Sequence, residues 1–156
     1  MLIATEPDGD DLRQTPLFDE PFLIGHSPGH PLAAIAEPSF RDIASGTLLL
    51  LDDGHCLRDQ ALALCGSAAV DRRVRATSLA TLMRLAVNGQ GVTLVPALAA
   101  RWAEGLVLRP LENDAAKRTV YLVARRNDPR ARALAVIAAA ARAIAVENRL
   151  AVAAAA

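Results

Sequence analysis

The chain has 156 residues, the size of one ordinary domain that buries roughly two thirds of the surface its unfolded form exposes. Apolar residues make up 53% and aromatic ones only 3%, with 33 alanines supplying the difference, a composition that offsets its ordering entropy and excludes a disordered chain. Lys and Arg number 17 against 17 Asp and Glu, so the overall basic field of a free-standing DNA-binding domain is missing.

In chain order, β and α signals alternate, which predicts an α/β fold with a parallel or mixed sheet. Leu2–Thr5 reads as a short strand stopped by the turn residues Pro7, Asp8 and Gly9. Residues 16–26 (PLFDEPFLIGH) read as extended, with Pro21 favouring an edge strand or crossover over a central position. The apolar run Thr47–Leu51, bounded by Gly46 and by Asp52, Asp53 and Gly54, is the pattern of a strand buried on both faces. Cys56 to about Gly66 predicts a helix with Asp53 as N-cap and Gly66 as stop. After a short strand over 74–76, Ser78 is placed to cap a helix whose Leu79, Leu82, Met83 and Ala86 share a face and which ends at Asn88 and Gly89. Strands follow over 91–95, 106–108 and 119–124, and Pro129 opens one long helix to Ala156 with an apolar stripe of Leu134, Ile137, Ala141 and Ile144.

No apolar run approaches the ~18 residues that span a bilayer, and Met1–Ala4 leads into an acidic stretch without a signal-peptide pattern, so a cytoplasmic protein with no membrane contact is expected. Charge is unevenly distributed. Residues 1–60 hold eleven carboxylates against three arginines, and residues 117–149 hold eight basic residues against two acidic ones. Opposite-sign halves attract within a chain or across a dimer, although solvated faces explain the same counts.

Two cysteines carry the most chemistry. Reducing pools keep cytosolic thiols free, so a pair there is explained by burial, metal binding or redox chemistry. Cys56 and Cys65 stand nine residues apart. On one helix that spacing means about 13.5 Å of rise and opposite faces, whereas a disulfide needs Cα atoms within about 7 Å. Helix and bond therefore exclude each other. Cys56 falls in the first turn, where free N–H groups, with His55 and Arg58 nearby, favour a thiolate; Cys65 falls at the far end, where an inert buried thiol is expected. The residues alone leave simple packing open, because free cysteine is among the most buried residue types. A metal site from His26, His30, His55, Cys56 and Cys65 lacks a matching pair spacing on any scaffold, and none is expected.

The run Leu51-Asp52-Asp53-Gly54-His55-Cys56-Leu57-Arg58-Asp59-Gln60-Ala61, with Cys65 nine positions beyond Cys56, closely resembles the switch segment of the OxyR-type, peroxide-sensing branch of the LysR-type transcriptional regulators. A second block, Arg75 to Leu82 continuing through Gly89-Gln90-Gly91-Val92-Thr93-Leu94-Val95-Pro96, resembles LysR-type effector domains in general. The likeness runs from about Pro16 to Arg126 and more loosely beyond. It implies a substrate-binding, periplasmic-binding-protein-like regulatory domain: residues 1–18 a remnant of the first subdomain and crossover, 19–120 the second subdomain with a switch segment at 54–67, and 121–156 the return strand and C-terminal helix of the first. The winged helix-turn-helix of a complete regulator is not among these residues, so DNA contact is expected only through that missing domain.

The resemblance further implies that hydrogen peroxide oxidises Cys56 to a sulfenic acid and that Cys65 resolves it as a disulfide. His55, Arg58 and Arg118 would border the cysteine pocket, and Thr77 and Ser78 would line the effector cleft. A thiol-disulfide reductant such as glutaredoxin or thioredoxin, a homo-dimer or tetramer, and no cofactor are expected with it. Two other classes stand beside this reading: an effector domain that binds a small metabolite and uses its cysteines only for packing, and a thiol peroxidase, which nothing beyond the cysteines supports. The segment 66–73 is somewhat shorter than the family pattern leads one to expect.

Overall fold

The computed structural model describes residues 1–5, 9–44, 48–65, 70–112 and 116–152. The expectations for Pro7 and Asp8, Thr47, the Gly66 stop and the last four residues of the tail lie outside them. Two compact units are formed, one from Met1–Pro21 with Lys117–Ala156 and one from Phe22–Ala116.

In the first unit, β1 (Leu2–Ile3), the part of β2 (Leu12–His26) up to Pro21, β7 (Lys117–Arg125) and β8 (Ala151–Val152) pair antiparallel in the order β1-β7-β2-β8. Acidic and basic ends of the sequence meet here. Glu20 lies directly opposite Arg118 and Asp19 opposite Thr119. Lys117 Nζ is 2.8 Å from Asp19 Oδ2 and the Thr119 hydroxyl donates to Asp19 Oδ1, so with Lys117 bonded to it the Asp19 carboxyl sits below its ordinary value.

Helix α4 (Ala131–Glu147) departs from the expected stripe: Ala138 and Ala145 are buried, Leu134, Ala141 and Arg142 half-buried, and Ile137 and Ile144 exposed. It also ends earlier than the expected run to Ala156. Arg149 takes a left-handed φ of 59°, its N–H donates to Val146 O and the Leu150 N–H donates to Ala145 O, a Schellman closure that turns the chain into β8.

In the second unit the rest of β2 runs between β5 (Thr93–Pro96) and β6 (Val107–Pro110), both antiparallel to it. Strand β3 (Leu48–Leu51), buried at every position, is parallel to β4 (Val70–Ala76) and bridges Val92 through Leu48. Helices α1 (Phe40–Ala44), α2 (Cys56–Cys65) and α3 (Leu79–Val87) complete it with short 3-10 turns at Pro31–Ala34 and Ala97–Trp102. Ser39 and Asp42 cap α1, the Ser39 N–H and hydroxyl both donating to Asp42 Oδ2 at 2.8 and 2.6 Å. The core gathers Phe22, Ile24, Ile43, the four leucines of β3, Leu57, Ala61, Leu82 and Leu94.

Residues 16–26, expected as an edge strand or a crossover, form a strand that passes from the first unit into the second between Pro21 and Phe22, and only the edge alternative is corrected by these pairings. β2 is flanked on both sides, by β7 and β8 in one unit and by β5 and β6 in the other. Its prolines are tolerated because each falls where no ladder donor is required. The register shifts between Pro16 and Phe18, and Pro21 is the last residue of the β7 pairing, after which Phe22 N donates to Ala116 O at 2.8 Å.

Candidate functional site around helix α2

Helix α2 begins at Cys56 and ends at Cys65, so the two cysteines occupy the termini of one continuous ten-residue helix. Both thiols are free, Cys56 exposed and Cys65 half-buried. By helix geometry their Cα atoms are roughly 13 Å apart, nearly twice the span a disulfide bridges. Desolvation pushes the Cys65 thiol up to about 11, so at neutral pH it is protonated. Leu57 and Ala61, one turn apart, bury the inner face of α2. A small pocket of about 10 Å³ between Leu50, Leu57, Ala61 and Leu82 has room for about one water.

The cap expected from Asp53 is not made. The carbonyl of His55, an exposed residue, accepts from Arg58 N at 2.9 Å and Asp59 N at 3.4 Å and starts the helix, while Gly54, at φ 91°, supplies the left-handed turn before it. Asp53 does other work: its Oδ1 lies 2.9 Å from Arg58 Nε and its Oδ2 2.8 Å from Arg75 Nη1. Arg58 Nη1 also donates to Leu51 O at 3.2 Å, at the end of β3. The Arg58 guanidinium is thus directed at Leu51 and Asp53, and the turn before Cys56 is tied to β3 and β4.

Among the other expected site residues, Ser78 and Thr77 are exposed and precede α3. The Ser78 hydroxyl accepts from Thr81 N at 3.2 Å, fulfilling its predicted role as N-cap. Arg118 belongs to the first unit, where its Nε and Nη2 each lie 2.8 Å from Oε2 of the fully buried Glu20. Glu20 was not singled out by the sequence; Asp53 was read there only as a helix cap and Arg75 only as part of the effector-domain block. His26 is fully buried, and its Nδ1–H donates to the Ser27 carbonyl at 2.8 Å. Its ring centre is 5.6 Å from that of His30. Among the described residues no group of three or more His, Cys, Asp or Glu side chains converges as a metal site would require, and no helix is long and apolar enough to cross a membrane.

With this geometry in hand, the profile of the LysR substrate binding domain matches residues 1–145. The chain belongs to that family. It is 40% identical over 134 residues to the DNA-binding transcriptional dual regulator OxyR of Escherichia coli K12, an overlap of 83% of this chain and 44% of that protein. A solved OxyR C206 mutant of Corynebacterium glutamicum superposes with a TM-score of 0.84 at 33% identity, covering 94% of this chain and 48% of the other. A reduced form of OxyR from N. meningitidis gives 0.86 at 25% identity, with 98% and 74% covered. The chain is thus an OxyR homologue with the mixed α/β fold of a LysR substrate-binding domain. It spans about half the length of the curated relatives it matches.

Proposed function

We propose that this chain is the redox-sensing part of a peroxide-responsive LysR-type regulator, with Cys56 as the peroxidatic and Cys65 as the resolving thiol. The observation that carries the reading is the asymmetry of the two ends of α2: an exposed thiol at the helix N-terminus and a half-buried, high-pKa thiol at the C-terminus. The Cys56 thiolate attacks one oxygen of hydrogen peroxide, the O–O bond breaks, hydroxide leaves, and Cys56 becomes a sulfenic acid. Cys65 then attacks that sulfur. Its thiol proton leaves with the hydroxyl as water, and the S–S bond holds the two oxidised sulfurs. A dithiol of the glutaredoxin or thioredoxin class returns two electrons and two protons.

In this reading the sensor works in the cytoplasm as part of a homo-oligomer, dimer or tetramer, and DNA is contacted by a region that these residues do not span. His55 and Arg58 flank the peroxidatic thiol in sequence; Arg118, Thr77 and Ser78 are carried as pocket and cleft residues by resemblance alone. Single-cysteine variants test the roles. Cys56→Ser abolishes the fast reaction with low micromolar peroxide, and Cys65→Ser keeps it but accumulates a sulfenic acid trapped by a dimedone-type probe. If Cys65 is the faster thiol, or neither reacts within seconds, the assignment is wrong.

A further inference from the structure

We propose that Asp53 is the latch of the switch helix: by holding Arg58 and Arg75 together it keeps the first turn of α2 closed and sets the pace of disulfide formation. The inference rests on the redox reading above and adds a residue to it. Cys56 and Cys65 lie on opposite faces of α2, and the Cα–Cβ bond of Cys56 leans toward the helix N-terminus, away from Cys65. Unwinding the far end frees enough chain to span the gap but leaves the Cys56 sulfur directed away from it. Rotation of the first turn brings that sulfur round to meet Cys65.

That turn is the anchored end. Leu57 is buried, Arg58 is bonded to Leu51 O and Asp53, and Asp53 is bonded across to Arg75 at the end of β4. At the other end, Leu62, Leu64 and Cys65 are only half-buried and Ala63 is exposed. Asp53 is the member that two cations share, so removing its charge loosens both links at once. Being 72% exposed itself, it tolerates substitution without loss of the fold. The condensation it gates is Cys56–SOH with Cys65–SH giving the disulfide and water, after the peroxide step, whose chemistry at Cys56 does not pass through the Asp53 carboxylate.

The experiment follows both steps in the reduced chain after one equivalent of hydrogen peroxide, sulfenic acid by dimedone-type trapping and disulfide by acid quench and peptide mapping. In Asp53→Asn the sulfenic acid forms as fast as in the unsubstituted chain, and the disulfide forms about three- to tenfold faster, the range that two ion pairs to one exposed carboxylate support. Arg75→Gln, which removes only the outer link, gives a smaller acceleration, and Asp53→Glu restores the slow rate. Salt supplies a readout that a merely structural residue does not move: raising ionic strength from about 0.01 to 1 M shortens the screening length tenfold, from about 30 to 3 Å, so it accelerates the disulfide step of the unsubstituted chain and leaves Asp53→Asn unchanged. An unchanged disulfide rate in Asp53→Asn, or equal salt responses, overturns the latch while leaving the cysteine roles intact. Absence of any sulfenic acid or disulfide in the unsubstituted chain instead overturns the redox reading on which the latch rests.

Discussion

At the scale of single residues, the two thiols of α2 differ in environment as well as in place. Burial raises the Cys65 thiol to about 11 from an ordinary 9.0. The folded state therefore favours the protonated thiol. Its contribution to stability is complete below the unfolded value and is lost as pH rises through the folded one, so stability declines between about pH 9 and 11. Denaturant unfolding at pH 8 and pH 10.5 checks this: Cys65→Ala loses less stability over that interval than the unsubstituted chain, and parallel losses contradict the raised value. The same environment makes alkylation of Cys65 slow in the folded protein at pH 8 and fast in urea.

At the scale of elements, α3 and α4 end in the same way with different residues. Gly89, at φ 74°, donates its N–H to Ala86 O, and Gln90 donates to Leu85 O; in α4 the corresponding left-handed position is Arg149, at φ 59°. A left-handed conformation costs a residue with a Cβ roughly 1 kcal/mol that glycine avoids. Arg149→Gly is expected to stabilise the protein by up to about 1 kcal/mol, and Gly89→Ala to destabilise it by about 1 kcal/mol or more, both read as shifts in the denaturation midpoint.

These elements also explain what the sequence disclosed. α3 and β3 were legible because their signals are local, Ser78 capping, Gly89 stopping and an apolar run between turn residues, whereas α2 was legible from its run of helix formers and not from its expected cap. The length and stripe of α4 were not, because alanine on every face gives periodicity no contrast, and it is Ala138 and Ala145 that pack inward while Ile137 and Ile144 face solvent. β2 read as an edge or a crossover, and the pairing on both its sides was missed, because the meaning of its prolines depends on register, which only its partners supply. The Asp53–Arg75 contact joins residues 22 positions apart and leaves no mark in either segment.

At the scale of the whole chain, each unit carries its own sensitivity to acid. In the second unit, burial first and the charge of neighbouring His26 next hold His30 below its ordinary 6.5. A depressed histidine binds its proton more readily in the unfolded chain, so stability is lost as pH falls from about 6.5 toward the folded value. In the first unit, the Lys117 bond to Asp19 adds stability that is present above 3.8 and lost as pH falls through the lower folded value. His30→Asn keeps an acceptor for the Leu32 N–H, which His30 Nδ1 now serves at 3.2 Å, and removes the titration. Thermal unfolding between pH 7.5 and 5.5 then shows a smaller loss for His30→Asn than for the unsubstituted chain; equal losses place the sensitivity elsewhere.

The central claim is that one helix holds the two cysteines apart and must open for them to bond. Hydrogen exchange and peptide mapping on the same sample, before and after one equivalent of hydrogen peroxide, test it most directly. Reduced protein is predicted to protect the amides of residues 60–65, which α2 bonds internally; oxidised protein is predicted to yield a linked Cys56–Cys65 peptide two hydrogens lighter than the free pair and to lose that protection. A linked peptide with α2 still protected, or oxidation that stops on Cys56 while Cys65 stays free, contradicts the account.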